Sequence, residues 1–220
     1  MEGDKLIIHE GHRKAAHQLI VLLVPQIAKV SDKFIITIAG ESGSGKSEIA
    51  AVLIDLLSEK NLTSVIIQQD DYFVYPPKTN AKMRRKDINH VGPSEVHIDL
   101  LDRNLKDILN RKNEIIKPLV IFDEDKITEE MMSLEGINVV IVEGTYTTML
   151  KNVHKHIFIE RTYIDTKESR EQRAREEQDE YLEKILEIEH NIISKQKSKA
   201  DIIVMNNYEI NDPALKGEAF

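Results

Sequence analysis

Eight consecutive residues constrain this chain more than any others: Gly40-Glu41-Ser42-Gly43-Ser44-Gly45-Lys46-Ser47. They follow a short β-branched run, Phe34 to Ala39, which reads as a strand buried on both faces of a parallel sheet. After them Ile49, Val52, Leu53, Leu56 and Leu57 recur at helical spacing and predict a helix from about Lys46 to Glu59. A Gly, four residues, Gly, Lys, Ser string between a strand and a helix is a phosphate-binding loop. Its glycines let successive backbone N–H groups turn inward around a phosphate, and the helix N-terminus adds the positive end of its dipole. Lys46 then reaches the β- and γ-phosphates of a nucleotide, and Ser47 is placed to ligate Mg²⁺. The expected phosphate-binding set is Gly40, Ser42, Gly43, Ser44, Gly45, Lys46 and Ser47.

Around this loop, strand and helix patterns alternate. Residues 12 to 29 carry Ala16, Leu19, Ile20, Leu23 and Ile27 at helical spacing, and Pro25 is expected to kink or end that helix. Further buried strands are predicted at 64 to 69, 137 to 144, 156 to 161 and 201 to 205. The stretch 115 to 122 reads as a strand or hairpin interrupted by Pro118. Residues 96 to 110 predict a helix, and 165 to about 197 a single long charged one with Tyr181, Ile185, Ile188 and Ile192 on its apolar face. Residues 70 to 95 hold Pro76, Pro77, Gly92 and Pro93 with little periodicity and read as a long substrate-facing loop. The pattern implies an α/β fold of three layers, the P-loop NTPase fold with a mainly parallel central sheet, plus an N-terminal helix. The expected division is a helical extension over 1 to 33, a P-loop domain over 34 to 210 and a tail over 211 to 220.

Composition narrows the partners. A length of 220 residues suits one such domain, and a formal net charge of -8 argues against holding nucleic acid through spread Lys and Arg, so no nucleic-acid partner is expected. The chain has no cysteine, which removes thiolate chemistry and fits a reducing compartment. The longest apolar run, Leu19 to Val24, is six residues, against roughly 20 for a bilayer crossing. The first residues lack a basic segment followed by a long apolar core, so neither a membrane partner nor export is expected and the cytoplasm is the default. His9 with His12, and His154 with His156, form pairs without a third ligand at recognisable spacing and predict no metal site.

Two acids complete the chemistry. No Asn-Lys-x-Asp guanine reader and no Asp-x-x-Gly switch occurs, and there is no room for a second motor domain, which leaves a compact phosphotransferase using ATP and Mg²⁺. Asp70 and Asp71 stand at the carboxyl end of the second predicted strand, the edge where ligands bind in such sheets. One of them is a candidate to accept the proton of an acceptor hydroxyl. Glu143, at the tip of another buried strand, is the candidate to hold Mg²⁺ opposite Ser47.

These strings in this order, followed by a helix running from Asp165 through Arg170 and Arg173, resemble the uridine kinase and phosphoribulokinase family over about residues 34 to 205. The resemblance implies transfer of the γ-phosphate of ATP to a hydroxyl of a small metabolite, with Asp70 as the base. It also implies Arg170 and Arg173, with Arg175 as a further candidate, near the transferring phosphoryl below a lid, and it allows a homo-oligomer. Uridine kinases carry an acid-His-Pro-Asp string that touches ribose, whereas this chain has His90-Val91-Gly92-Pro93-Ser94-Glu95. Their base-facing Tyr and His fall near Val120 and Asp125, and their lid arginines near the acidic run 176 to 180. A uridine or cytidine type nucleoside is the first acceptor the resemblance implies. Lys78, Lys82, Arg84, Arg85 and Lys86 keep a sugar phosphate or small acid as the alternative. A nucleotide-binding regulatory module without an acceptor is the other.

Overall fold

The computed structural model describes residues 6–173 and 179–211, with only the backbone of 172 and 173. Its centre is a six-stranded sheet in the order β2-β5-β1-β6-β7-β8. The strands are β1 (Phe34–Gly40), β2 (Ser64–Gln68), β5 (Val139–Glu143), β6 (Lys155–Ile159), β7 (Ile202–Val204) and β8 (Ile210–Asn211). Every pairing is parallel except the last, β7 with β8. β1 lies between β5 and β6, and every residue of it is buried. Its side chains alternate between two cores, as the period of a strand requires. Phe34, Ile36 and Ile38 face the core built with α1 (Glu10–Ile27) and α2 (Lys46–Glu59). Ile35 and Ala39 face the core shared with α4 (Ile98–Leu109) and with Ile193 of α6 (Glu180–Ile193). Helix, sheet and helix are thus three layers.

α1 packs along α2 through Ala15, Ala16, Leu19 and Leu23, all fully buried. Pro25 falls in its last turn, and the helix ends two residues later, with the Ala28 N–H bonded to Val24 O.

Three stretches differ from the pattern-based expectation. Residues 70 to 95 hold helix α3 (Pro77–Lys86) and short 3-10 turns. Pro77 opens that helix where its missing N–H costs nothing, but only Asn80 is buried, so no apolar stripe announced it. Pro118 does not interrupt β3 (Glu114–Ile121), which forms a separate two-stranded antiparallel sheet with β4 (Lys126–Ser133). In a two-stranded ribbon each strand is an edge, where proline is tolerated. The single long helix expected from 165 is two: α5 (Lys167–Arg173), and α6, which starts afresh where Asp179 accepts the Leu182 N–H at 2.8 Å. Among the described residues no helix is long and apolar enough to cross a membrane.

Candidate active site

The loop after β1 sits at the carboxyl edge of the sheet, with β5 and β6 on either side of its strand. Gly43 and Gly45 take φ of 75° and 99°, left-handed values that suit glycine, and both are also sterically required. A Cβ on Gly43 would lie 2.9 Å from Arg170 Cγ, and one on Gly45 2.7 Å from His12 Nε2. The loop is braced from outside. Thr166 Oγ1 donates to Ser42 O at 2.9 Å, and the buried Glu41 carboxylate accepts the Tyr163 N–H at 2.6 Å. Its other oxygen meets His190 Nδ1 of α6 at 2.7 Å. Lys46 Nζ donates to Glu41 O at 2.9 Å, so the lysine folds over the loop. Among the described residues the buried Ser44 hydroxyl has no hydrogen-bond partner. An unmatched hydroxyl inside a loop of inward-turning amides fits an anion supplied from outside the chain.

The acids converge on the same point. Glu143 ends β5 in register with Ile38 of β1 and Gln68 of β2. Its Oε1 accepts from Ser47 Oγ at 3.1 Å and Gln68 Nε2 at 3.2 Å. Burial pushes the Glu143 carboxyl above the ordinary range and the nearby charge of Asp70 adds to this, while Lys46, Ser47 and Gln68 pull the other way. Lys46, Ser47, Asp70 and Glu143 therefore form one electrostatic cluster. A hydroxyl and a buried carboxylate held together in this way are hard oxygen ligands of the kind Mg²⁺ takes.

The tandem carboxylates separate cleanly. Asp71 is buried, accepting from Lys117 Nζ at 2.9 Å and from the Val120 N–H at 3.0 Å, and so ties the β3–β4 hairpin to the end of β2. Gln69 is also buried and accepts the Tyr146 N–H at 2.7 Å. Asp70, between them, is half-buried on the side of Glu143.

Arg170 is buried against Gly43, with Nη1 donating to Tyr163 O at 2.6 Å and Thr166 Oγ1 at 2.7 Å. The Arg173 side chain, Arg175 and most of the acidic run 176 to 180 lie outside the described residues. The basic residues of 78 to 86 lie on or beside α3, and three of them have internal partners. Arg84 is held by Glu95, at 2.5 Å and 3.0 Å, and by Glu189 of α6 at 2.8 Å. Burial opposes its charge, but Glu189 and Glu95 outweigh burial and keep the guanidinium firmly protonated. Arg85 pairs with Asp179, and Lys78 Nζ donates to Asp123 O at 2.9 Å. Tyr146 lies within the field of Glu189, Arg84 and Glu95, and among the described residues its buried hydroxyl has no partner. Asp125 accepts the Lys78 and Thr79 N–H groups at 2.7 Å and 3.2 Å, which caps α3. The other histidine pair serves the sheet: His154 accepts the Ile35 N–H at 2.9 Å and His156 meets Thr37 Oγ1 at 2.8 Å.

Sequence reasoning missed Glu41, Glu189, His190 and Tyr146. Glu41 lay inside the loop motif at a position the motif leaves free. The others come from distant segments and carried no local signal.

Comparison with known proteins places this geometry in context. A family model described as the phosphoribulokinase / uridine kinase family matches residues 35–210. A uridine kinase of Ureaplasma parvum is 36% identical over 112 residues, 51% of this chain and 53% of that protein, so the chain spans about half the length of this relative. A uridine kinase of Lactobacillus helveticus is 29% identical over 203 residues, 86% of this chain and 93% of that one. Among solved structures, one described as a possible uridine kinase of Bacillus stearothermophilus superposes with a TM-score of 0.64 at 16% identity, covering 89% of this chain and 99% of its own. A D-glycerate 3-kinase of Cryptococcus neoformans var. grubii does so with a TM-score of 0.62 at 14% identity, covering 90% and 98%. At these identities the structural likeness speaks to the fold.

Proposed function

The chain belongs to the phosphoribulokinase / uridine kinase family, and from that premise we propose that it transfers the γ-phosphate of ATP to a hydroxyl of a small, uncharged metabolite, with a uridine or cytidine type nucleoside as the first candidate. The observation that carries the reading is the convergence of Lys46, Ser47, Glu143 and Asp70 at the carboxyl edge of the sheet. In this reading the loop N–H groups and Lys46 hold the β- and γ-phosphates. Ser47 and Glu143 hold Mg²⁺, which when bound neutralises phosphate charge. Asp70, free of the hairpin contacts that occupy Asp71, accepts the proton of the acceptor hydroxyl as it attacks. Arg170 adds positive charge behind Gly43, and Arg173 is the candidate that reaches the phosphoryl from α5.

The state of the basic segment favours an uncharged acceptor over a sugar phosphate. Arg84 is matched by two carboxylates, and a phosphate brought to it would face Glu95 and Glu189 at close range. The unmatched Tyr146 hydroxyl beside them suits an acceptor bearing hydroxyl or carbonyl groups.

The test is coupled ADP release with Mg²⁺-ATP against nucleosides, pantothenate, glycerate and sugar phosphates, with Asp70→Asn as the blank. Acceptor-dependent release with uridine or cytidine is the expected result. Release with a phosphorylated sugar alone would overturn the preference for an uncharged acceptor. Nucleotide binding with no acceptor-dependent release from any compound would favour a regulatory module.

A further inference from the structure

Asp70 sits in a 3-10 turn of four residues, Gln69–Tyr72, and is the one of them that is not buried. The other three are fastened to three different parts of the fold. Gln69 accepts the Tyr146 N–H beyond β5, and the Tyr72 hydroxyl accepts from Asn104 Nδ2 of α4 at 2.9 Å. Asp71 is fastened to the β3–β4 hairpin, by the Val120 N–H and by Lys117 Nζ. Adjacent residues are joined by a planar peptide with two soft dihedrals each, so a shift of Asp71 carries Asp70 with it.

Lys117 makes that attachment from inside the protein. Its side chain is 3% exposed, and Nζ meets Asp71 Oδ2 at 2.9 Å, Glu130 Oε1 at 2.5 Å and Pro118 O at 3.1 Å. Three oxygens match the three donors of an ammonium group. Burying such a group is a poor route to stability, since well-packed apolar side chains of similar volume often do as well or better. What a directed, charge-assisted hydrogen bond adds is a fixed position for the carboxylate. The hairpin that carries Lys117 is also held at its far end, where Asp125, between the two strands, accepts the Lys78 and Thr79 N–H groups of α3. A two-stranded hairpin is marginal by itself. Fixed at both ends, it forms a bracket between α3 and the turn that bears Asp70.

We infer that Lys117 is a positioning residue for the transfer step: through Asp71 it holds the turn so that the Asp70 carboxylate meets the acceptor hydroxyl. Lys117 acts through the backbone and not on the substrate. The inference rests on the reading of Asp70 as the base. A misplacement of about 1 Å costs up to about 10²-fold in rate, and a base displaced in this way loses turnover while the nucleotide is still held by the loop.

A double-mutant cycle of Lys117 and Asp70 tests this, read as ADP release from Mg²⁺-ATP with uridine, or with whichever of the compounds named above is accepted if uridine is not. Lys117→Met is expected to lower kcat about 10-fold, with the acceptor KM and the affinity for Mg²⁺-ADP changed less than about twofold. Lys117→Gln, which keeps a donor for Asp71, is expected to recover part of the loss. In the Asp70→Asn background Lys117→Met is expected to lower kcat no further, because the base it positions is already gone. Leu19→Ala, in the core between α1 and α2, controls for stability and is expected to keep the wild-type kcat when assayed well below its unfolding transition. Should Lys117→Met not fold, Lys117→Gln enters the cycle in its place, with a loss of a few-fold expected, and none in the Asp70→Asn background. An unchanged kcat in the lysine variant would overturn the inference. So would a loss repeated in full in the Asp70→Asn background, which would mean that Lys117 only supports the fold. Wild-type turnover in Asp70→Asn, or no acceptor-dependent release from any compound, would instead overturn the base reading on which the inference stands.

Discussion

Ser47 Oγ donates a hydrogen bond to Glu143 Oε1 across 3.1 Å, joining the first turn of α2 to the tip of β5 over 96 residues of sequence. Neighbouring strands make the bond unavoidable. β1 delivers the loop and α2, β5 lies beside β1, and the register sets Glu143 level with Ile38.

The Glu143 carboxyl is raised by burial first and by Asp70 second. A raised acid holds its proton more tightly when folded, so the folded state is favoured below the unfolded value near 4.5 and loses that advantage as pH rises through the folded value. Glu143→Gln is expected to raise Tm at neutral pH, by about 2–4 °C for each kcal/mol recovered, and to remove Mg²⁺-dependent turnover. A thermal scan across pH, paired with a Mg²⁺ titration of activity, checks both halves. A lower Tm with intact turnover contradicts them.

Asp70 and Asp71 are adjacent but should fail differently. Asp70→Asn is expected to lower kcat by about 10²–10⁴-fold with nucleotide affinity and Tm unchanged. Asp71→Asn removes one of the two carboxylates paired with the buried Lys117, leaving Glu130, and is expected to cost about 1–3 kcal/mol of stability. Steady-state kinetics and urea unfolding on the two variants separate the roles, and the reverse pattern would exchange the assignments.

Arg84 stabilises two buried carboxylates rather than standing open for a ligand. Arg84→Met is expected to destabilise the protein by about 3 kcal/mol, and adding Glu95→Gln and Glu189→Gln to recover part of that loss. Lys82→Ala and Lys86→Ala are expected to change the acceptor KM less than about twofold. A large KM increase in either lysine variant would restore the case for a phosphorylated acceptor.

Glu41 clamps the loop to α6 through His190 and to the start of the following segment through the Tyr163 N–H. Glu41→Gln keeps hydrogen-bonding capacity but removes the charge, and is expected to raise the KM for ATP a few-fold with little change in kcat. Hydrogen exchange should show faster opening at the end of α6 near His190. Unchanged exchange there would argue against the clamp.

Much of the fold was legible because its central strands, β1 and β5 above all, are short β-branched runs buried on both faces, and its first two helices carry a stripe at helical period. The loop was legible because cradling a phosphate demands a fixed order of glycines, lysine and hydroxyl along the chain itself. Helix α3 and strand β4 were not, since one buries a single asparagine and the other faces water over much of its length. Their place follows from Asp125, Arg84 and Lys117 meeting partners far off in sequence.

The sequence by itself determined that this chain carries a nucleotide-type loop at the edge of a parallel sheet, with acids ending two further strands, because local spacing and periodicity encode those features. Only the tertiary structure decided which of two adjacent aspartates is engaged, that Arg84 and Arg85 of the basic segment are matched by carboxylates, and that His12 lies on Gly45. Those outcomes depend on burial and charge pairing between segments tens to more than a hundred residues apart, which no local pattern records.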